Sequence, residues 1–192
     1  MGLDTVELVV SIEKHFGLEI SDLVCEQLGT VGDVAKWLGQ QMQTENQRHS
    51  IVRENVVLQL QQLFFPLLIG EEMHLVKLIK DQESQLKYRK LFEEMCGLKM
   101  PKLALPKAQS SGWLSRLFDA KLFVFGTDPR NHTLADLTDW TVALNYKKLL
   151  VPPFQSQYDV EQAVIGITSD SSGVEIAHVM LYSSFTNDLG ME

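Results

Sequence analysis

Gly2-Leu3-Asp4-Thr5-Val6-Glu7-Leu8-Val9-Val10-Ser11-Ile12-Glu13-Lys14-His15-Phe16-Gly17 decides the fold class. Leu3, Val6, Val10, Ile12 and Phe16 recur mostly at helical spacing, while Asp4, Glu7 and Glu13 fall on other faces. The stretch therefore reads as an amphipathic helix. Asp4 and Glu7 lie in its first turn, where carboxylates meet the positive end of the helix dipole. Gly17 supplies the stop expected just past a helix C-terminus.

The pattern continues outward. Ser21 is placed to cap a short helix through about Leu28. Thr30 and Asp33 have the spacing of a capping box ahead of a helix running to about Met42, although Asp is a weaker partner there than Glu or Gln. The polar stretch Gln43 to Ser50 connects this region to an apolar helix over Ile51–Leu68, which Pro66 should kink or end.

The middle of the chain repeats the plan of its start. Ile12 to Leu23 aligns without gaps on Phe92 to Leu103, an offset of 80. Thr30-Val-Gly-Asp-Val-Ala-Lys-Trp37 aligns on Thr133-Leu-Ala-Asp-Leu-Thr-Asp-Trp140, an offset of 103. The second copy thus carries 23 extra residues, around 104–131, with one strand-like run at Lys121–Phe125. After Pro152-Pro153, Tyr158–Ser171 is a further helix candidate. Trp37 and Trp140 recur at equivalent positions, as core anchors would.

The chain closes on Phe185-Thr186-Asn187-Asp188-Leu189-Gly190-Met191-Glu192. Laid end to start, the termini give F-x-x-D-L-G-x-E followed by G-L-D-T-V-E-L. That composite resembles the acyl carrier protein signature F-x-x-D-L-G-x-D-S-L-D-x-V-E-L, interrupted at the serine that bears phosphopantetheine. Phe16-Gly-Leu-Glu-Ile20 and Thr30-Val-Gly-Asp-Val34 extend the likeness.

The resemblance implies an all-α fold: a circularly permuted acyl-carrier-protein-like bundle with an inserted, degenerate second unit. Residues 1–43 would supply helices II, III and IV of the first unit, and 158–192 its helix I; 51–150 would form the second unit. Gly2 stands where the family has its serine and offers no hydroxyl, so no phosphopantetheine and no other cofactor is expected. The resemblance further implies a non-catalytic module that docks a protein partner, an acyl-transfer or biosynthetic enzyme of acyl or polyketide metabolism. Leu3, Asp4, Glu7, Glu13, Asp188 and Glu192 would form the docking face. Lys14 and His15 depart from the acidic recognition helix usual in the family. A non-covalent fatty-acyl or other hydrophobic ligand carrier is the alternative, with Val6, Val10, Ile12, Phe16, Ile20 and Val34 lining a cavity. A closed core is the simpler reading of those six, because no tethered thioester would hold a chain among them.

Composition narrows the classes. At 192 residues, 45% hydrophobic and 22% charged, the chain has the make-up of a globular domain rather than a disordered one. The longest apolar run, Leu63–Ile69, contains Pro66 and is too short to span a bilayer. Cys25 and Cys96 form no C-x-x-C pair, as expected of reduced thiols in a cytoplasmic protein. The net charge of −8 concentrates at the ends: residues 1–43 hold seven acidic and two basic side chains, and residues 158–192 six acidic and none basic. Such ends repel phosphate backbones, so no nucleic-acid partner is expected. His15, His49, His74, His132 and His178 show no metal-ligand spacing, and no P-loop, G-x-S-x-G or G-x-G-x-x-G motif occurs. No metal site, catalytic residue or membrane association is therefore expected, and the assembly would be a monomer or a dimer with exchanged halves.

Overall fold

Apolar side chains four residues apart fix the first helix. In the computed structural model, which describes residues 3–45, 49–67, 69–103, 105 and 131–191, α1 (Leu3–Phe16) buries Leu8, Ile12 and Phe16. Val6 and Val10, read above as part of the inward stripe, stand outward at 45% and 54% exposure. The helix is apolar on more than one side at its start, so spacing admits two stripes, and only packing chooses between them.

Beyond α1 come α2 (Asp22–Cys25), α3 (Val31–Gln41), α4 (Ile51–Leu63), α5 (Leu75–Leu78) and α6 (Gln82–Cys96). Then follow α7 (Leu134–Leu144), α8 (Tyr146–Leu149), α9 (Gln157–Ser172) and a 3-10 turn over Ile176–His178. The architecture is all-α. Among the described residues there is no strand, only the isolated bridges Thr30–Ser184, Glu45–Ser156 and His74–Thr133. The strand-like run Lys121–Phe125 lies outside the described residues. No helix among the described residues is long and apolar enough to cross a membrane.

The local signals act as their chemistry dictates. Thr30 and Asp33 form a reciprocal capping box at α3, and Thr133 and Asp136 form the same box at α7. Ser50 caps α4 through the Arg53 N–H, and Ser156 caps α9 through the Asp159 N–H. Gly17, Gly97 and Gly173 end α1, α6 and α9 at φ 69°, 68° and 71°, a conformation in which glycine carries no β-carbon penalty. Two helices are shorter than their sequences suggest. α4 ends at Leu63, ahead of Pro66 and of the residue that proline keeps out of the helical region. α2 ends at Cys25 rather than near Leu28, and Ser21 makes no side-chain capping bond.

The sequence repeat has a backbone counterpart. Val31 donates to the Ser183 carbonyl (3.1 Å), Gly32 to Leu181 (2.7 Å) and Phe185 to Gly29 (3.3 Å). In the middle of the chain Leu134 donates to Met73 (2.9 Å), Ala135 to Glu71 (2.9 Å) and Leu75 to His132 (2.9 Å). These bonds match one for one. Each set ties the N-terminus of a capped helix, α3 or α7, to the segment that follows a long helix, α9 or α4.

The two sets share one continuous hydrophobic core. α9 lies at its centre, packed against α1 and α3 on one side and α7 and α8 on the other. Accordingly Val160, Ala163, Val164, Ile165, Gly166, Ile167 and Thr168 are all buried. α4 packs on α6 and α7 and leaves one face to solvent.

Candidate functional site

Burial of Leu8, Ile12 and Phe16 turns the opposite side of α1 outward. That side carries Val6, Val10, Glu7 and Lys14, all exposed, while Asp4, exposed at the start of the helix, heads the row of Leu8, Ile12 and Phe16. Past Gly17 the chain folds back: the Ile20 N–H donates to a Glu13 carboxylate oxygen at 2.7 Å. Past this bond Glu19, Asp22 and Glu26 are all exposed, and Leu23 of α2 stands 74% exposed. Burial, and then the Asp22 and Glu13 carboxylates, push the Cys25 thiol up from its ordinary value. The thiol therefore stays protonated at neutral pH and is a poor nucleophile.

The expected docking residues divide into four cases. Glu192 lies outside the described residues, as does the side chain of Leu3; Gly2, which stands at the serine position rather than on the docking face, lies outside them too. Asp4 and Glu7 are exposed on one helix beside Val6 and Val10. Glu13 is half-buried and holds the 17–20 loop through Ile20. Asp188 is exposed, but one of its oxygens accepts from the Ser184 N–H at 2.8 Å and closes the turn there. Reading acidic residues from sequence left out Val6 and Val10, the apolar side chains exposed on the same helix as Asp4 and Glu7. Their signal was the excess of valines on α1 beyond what one buried stripe uses.

Of the six side chains considered for an acyl cavity, Ile12, Phe16, Ile20 and Val34 are buried in the core, while Val6 and Val10 point away from it. Two cavities stand out and none of the six lines either. One, of about 540 Å³, is lined by Leu58, Gln61, Gln62, Phe65, Leu67 and Ile69. The other, of about 390 Å³, is polar and includes His49, Ser50, Ser156 and Asp159. The Ser50 hydroxyl donates to Asp159 there at 2.6 Å. Among the described residues no three His, Cys, Asp or Glu side chains group as metal ligands.

The other charged constellation is an anchor. Arg53 donates from Nη2 to Glu71 at 2.6 Å and from Nε to Asp139 at 2.9 Å. The Tyr158 hydroxyl donates to the same Asp139 oxygen at 2.7 Å. Burial, and then Asp139, hold the Tyr158 phenol well above its usual range. Burial opposes the Arg53 charge, but Glu71 and Asp139 outweigh it and raise that pKa further. Arg53 therefore stays charged and Tyr158 neutral across ordinary pH, and the group ties α4, α7 and α9 together.

His15 sits on the α1 side facing the second half of the chain. Its ring packs edge-on against Tyr146 at 5.1 Å and near Phe154 at 5.9 Å. Its Nε2 is buried with no hydrogen-bond partner. Desolvation lowers its pKa, a bond to the Leu150 backbone partly opposes that, and Lys147 lowers it further. The imidazole is thus neutral at pH 7, and the α1–α2 region is acidic with Lys14 as the one cationic side chain on the helix.

No protein-family model matches the chain, and no solved structure matches it.

Proposed function

We propose that this protein is a non-catalytic, acyl-carrier-protein-like docking module whose α1 face binds a protein partner with a basic rim and an apolar centre. The observation that carries the reading is the pairing of Val6 and Val10, half exposed, with Asp4 and Glu7 on the same helix. Apolar side chains that the described residues cover only in part supply the desolvation term of an interface, and the carboxylates supply orientation and approach rate. In this reading 1–43 and 158–192 form a permuted unit and 51–150 a second, degenerate one. Supporting that division are the matched backbone bonds at Thr30 and Thr133 and the equivalent glycine stops at Gly17 and Gly97. With Gly2 in the serine's place, the module docks without carrying a substrate. An acyl-transfer or biosynthetic enzyme that recognises carrier proteins through arginine and lysine is the partner class.

The test is binding of purified enzymes of that class by calorimetry, comparing the wild type with Asp4→Lys/Glu7→Lys and with Val6→Ser/Val10→Ser. Both variants change exposed positions and should melt like the wild type. Each should abolish the complex, and wild-type binding should weaken steeply with salt. A complex that survives both substitutions would sink the proposal.

A further inference from the structure

We infer that a second copy of this chain docks in parallel along the outward ridge of α4, a surface separate from the α1 face. Ile51, Asn55, Leu58, Gln62 and Phe65 follow one another at spacings of four, three, four and three, and all five are exposed. On a helix of 3.6 residues per turn this spacing draws one straight stripe. The stripe runs opposite Val56, Val57, Leu60 and Leu63, which face the core. Phe65 lies one residue past the C-cap Phe64, and the 540 Å³ groove that it shares with Leu58 and Gln62 keeps it on the same side.

Single exposed apolar side chains are ordinary on protein surfaces. Here Ile51, Leu58 and Phe65 recur every seven residues at 61%, 55% and 79% exposure, with an amide side chain in each intervening layer. That is the arrangement of a short coiled-coil seam with its partner removed.

Charge identifies the partner. The chain carries −8, so two copies repel unless they meet where charge is lacking. The α1 face would bring Asp4 and Glu7 against themselves. The α4 stripe itself holds no charged residue; Glu54, exposed at its flank, is paired with His49 at 2.8 Å, and Arg53, on the far side of the helix, is bound to Glu71 and Asp139. A neutral ridge suits a second copy better than a strongly basic or acidic partner.

The amides set the direction. In a parallel pair each layer meets its own kind: Ile51 on Ile51, Asn55 on Asn55, Leu58 on Leu58, Gln62 on Gln62 and Phe65 on Phe65. An amide has both donors and an acceptor, so Asn55 and Gln62 can each pair with their own copy. An antiparallel pair sets amide layers against apolar ones and leaves buried amides unpaired, which is costly. Two heptads make a weak seam, so the dimer forms in proportion to concentration.

Sedimentation of the full chain over a dilution series tests this. The mass should rise with concentration from 21.8 kDa toward twice that value. Leu58→Glu should hold it at the monomer value at every concentration with an unchanged melting curve, and Asp4→Lys/Glu7→Lys should leave the dimer intact. Asn55→Leu should tighten the dimer by about tenfold, since a polar layer of this kind costs stability. Under mild oxidation Ile51→Cys should cross-link to itself, whereas the wild type, with Cys25 and Cys96 half-buried, should not. A wild type that stays monomeric throughout overturns the inference. So does a dimer indifferent to Leu58→Glu, as exchanged halves would give, or an Ile51→Cys dimer that fails to cross-link.

Discussion

Arg53 gives the sharpest test of how this chain is held together. Replacing it with Met keeps most of the aliphatic stem, which packs, and removes the guanidinium, which bonds. Two charge-assisted hydrogen bonds are lost, to Glu71 at 2.6 Å and to Asp139 at 2.9 Å. Such bonds contribute about 1.5–3 kcal/mol each when well buried, and exposed ion pairs about 0.2–1 kcal/mol. Arg53 is 21% exposed, but Glu71 and Asp139 are 41% and 38% exposed. Solvent screening therefore brings each bond to about 1 kcal/mol. The expected loss is about 2 kcal/mol, which for a chain of this size lowers the melting temperature by about 4–8 °C.

Urea unfolding at low and high salt is the assay. At about 1 M salt the Debye length falls to about 3 Å, so the difference between wild type and variant should shrink. Arg53→Lys should lose an intermediate amount, because one ammonium cannot hold the two carboxylates as a fork does. A loss below about 0.5 kcal/mol for Arg53→Met would refute the reasoning. It would mean that water already satisfies Glu71 and Asp139, and that apolar packing alone joins α4 to α7 and α9.

Two further outcomes follow from single positions. Gly166 faces α7 and α8 so closely that a β-carbon would collide with the Ala143 carbonyl oxygen and the Tyr146 ring; Gly166→Ala should cost about 1–3 kcal/mol in a urea titration despite its better helix propensity. His15 has a folded-state pKa below its ordinary 6.5, so the unfolded chain binds the extra proton more readily. Its stability contribution is complete above about pH 6.5 and is lost as the pH falls below that value toward the folded-state pKa; His15→Phe should flatten the stability profile across that window, as read from urea midpoints at successive pH values.

Much of the helical scaffold is legible in sequence because its signals are local. Thr30 with Asp33, Thr133 with Asp136, and the glycines at 17 and 173 act within one turn of their own position. Side-chain direction on α1 is a different kind of fact. Val6, Leu8, Val9, Val10 and Ile12 crowd two turns with apolar groups, and only α9, packed along one side, selects Leu8, Ile12 and Phe16 for burial. The roles of Glu13 and Asp188 were hidden for a related reason. Composition reveals a carboxylate, but only the folded loop shows that its oxygen faces the Ile20 or Ser184 N–H. The Arg53 group draws on residues 53, 71, 139 and 158, too far apart for any spacing rule to join.

The repeat itself was half legible, and the missing half explains the core. Side chains mark α1 against α6 and α3 against α7, since capping residues and glycine stops leave a sequence trace. The long helices that precede the matched turns, α9 and α4, share no comparable trace because their surroundings differ. α9 is enclosed by α1, α3, α7 and α8 and is buried nearly all round, with an unbroken apolar run at 163–167 and Gly166 admitting the closest neighbour. α4 packs on α6 and α7 and keeps the ridge of Ile51, Leu58 and Phe65 in water. Two helices in matched positions have therefore diverged with their burial, and both are apolar beyond what a single buried face requires. In α9 the packing of both halves of the chain accounts for that excess. In α4 nothing within the described residues covers it, and a second copy seated on that ridge would.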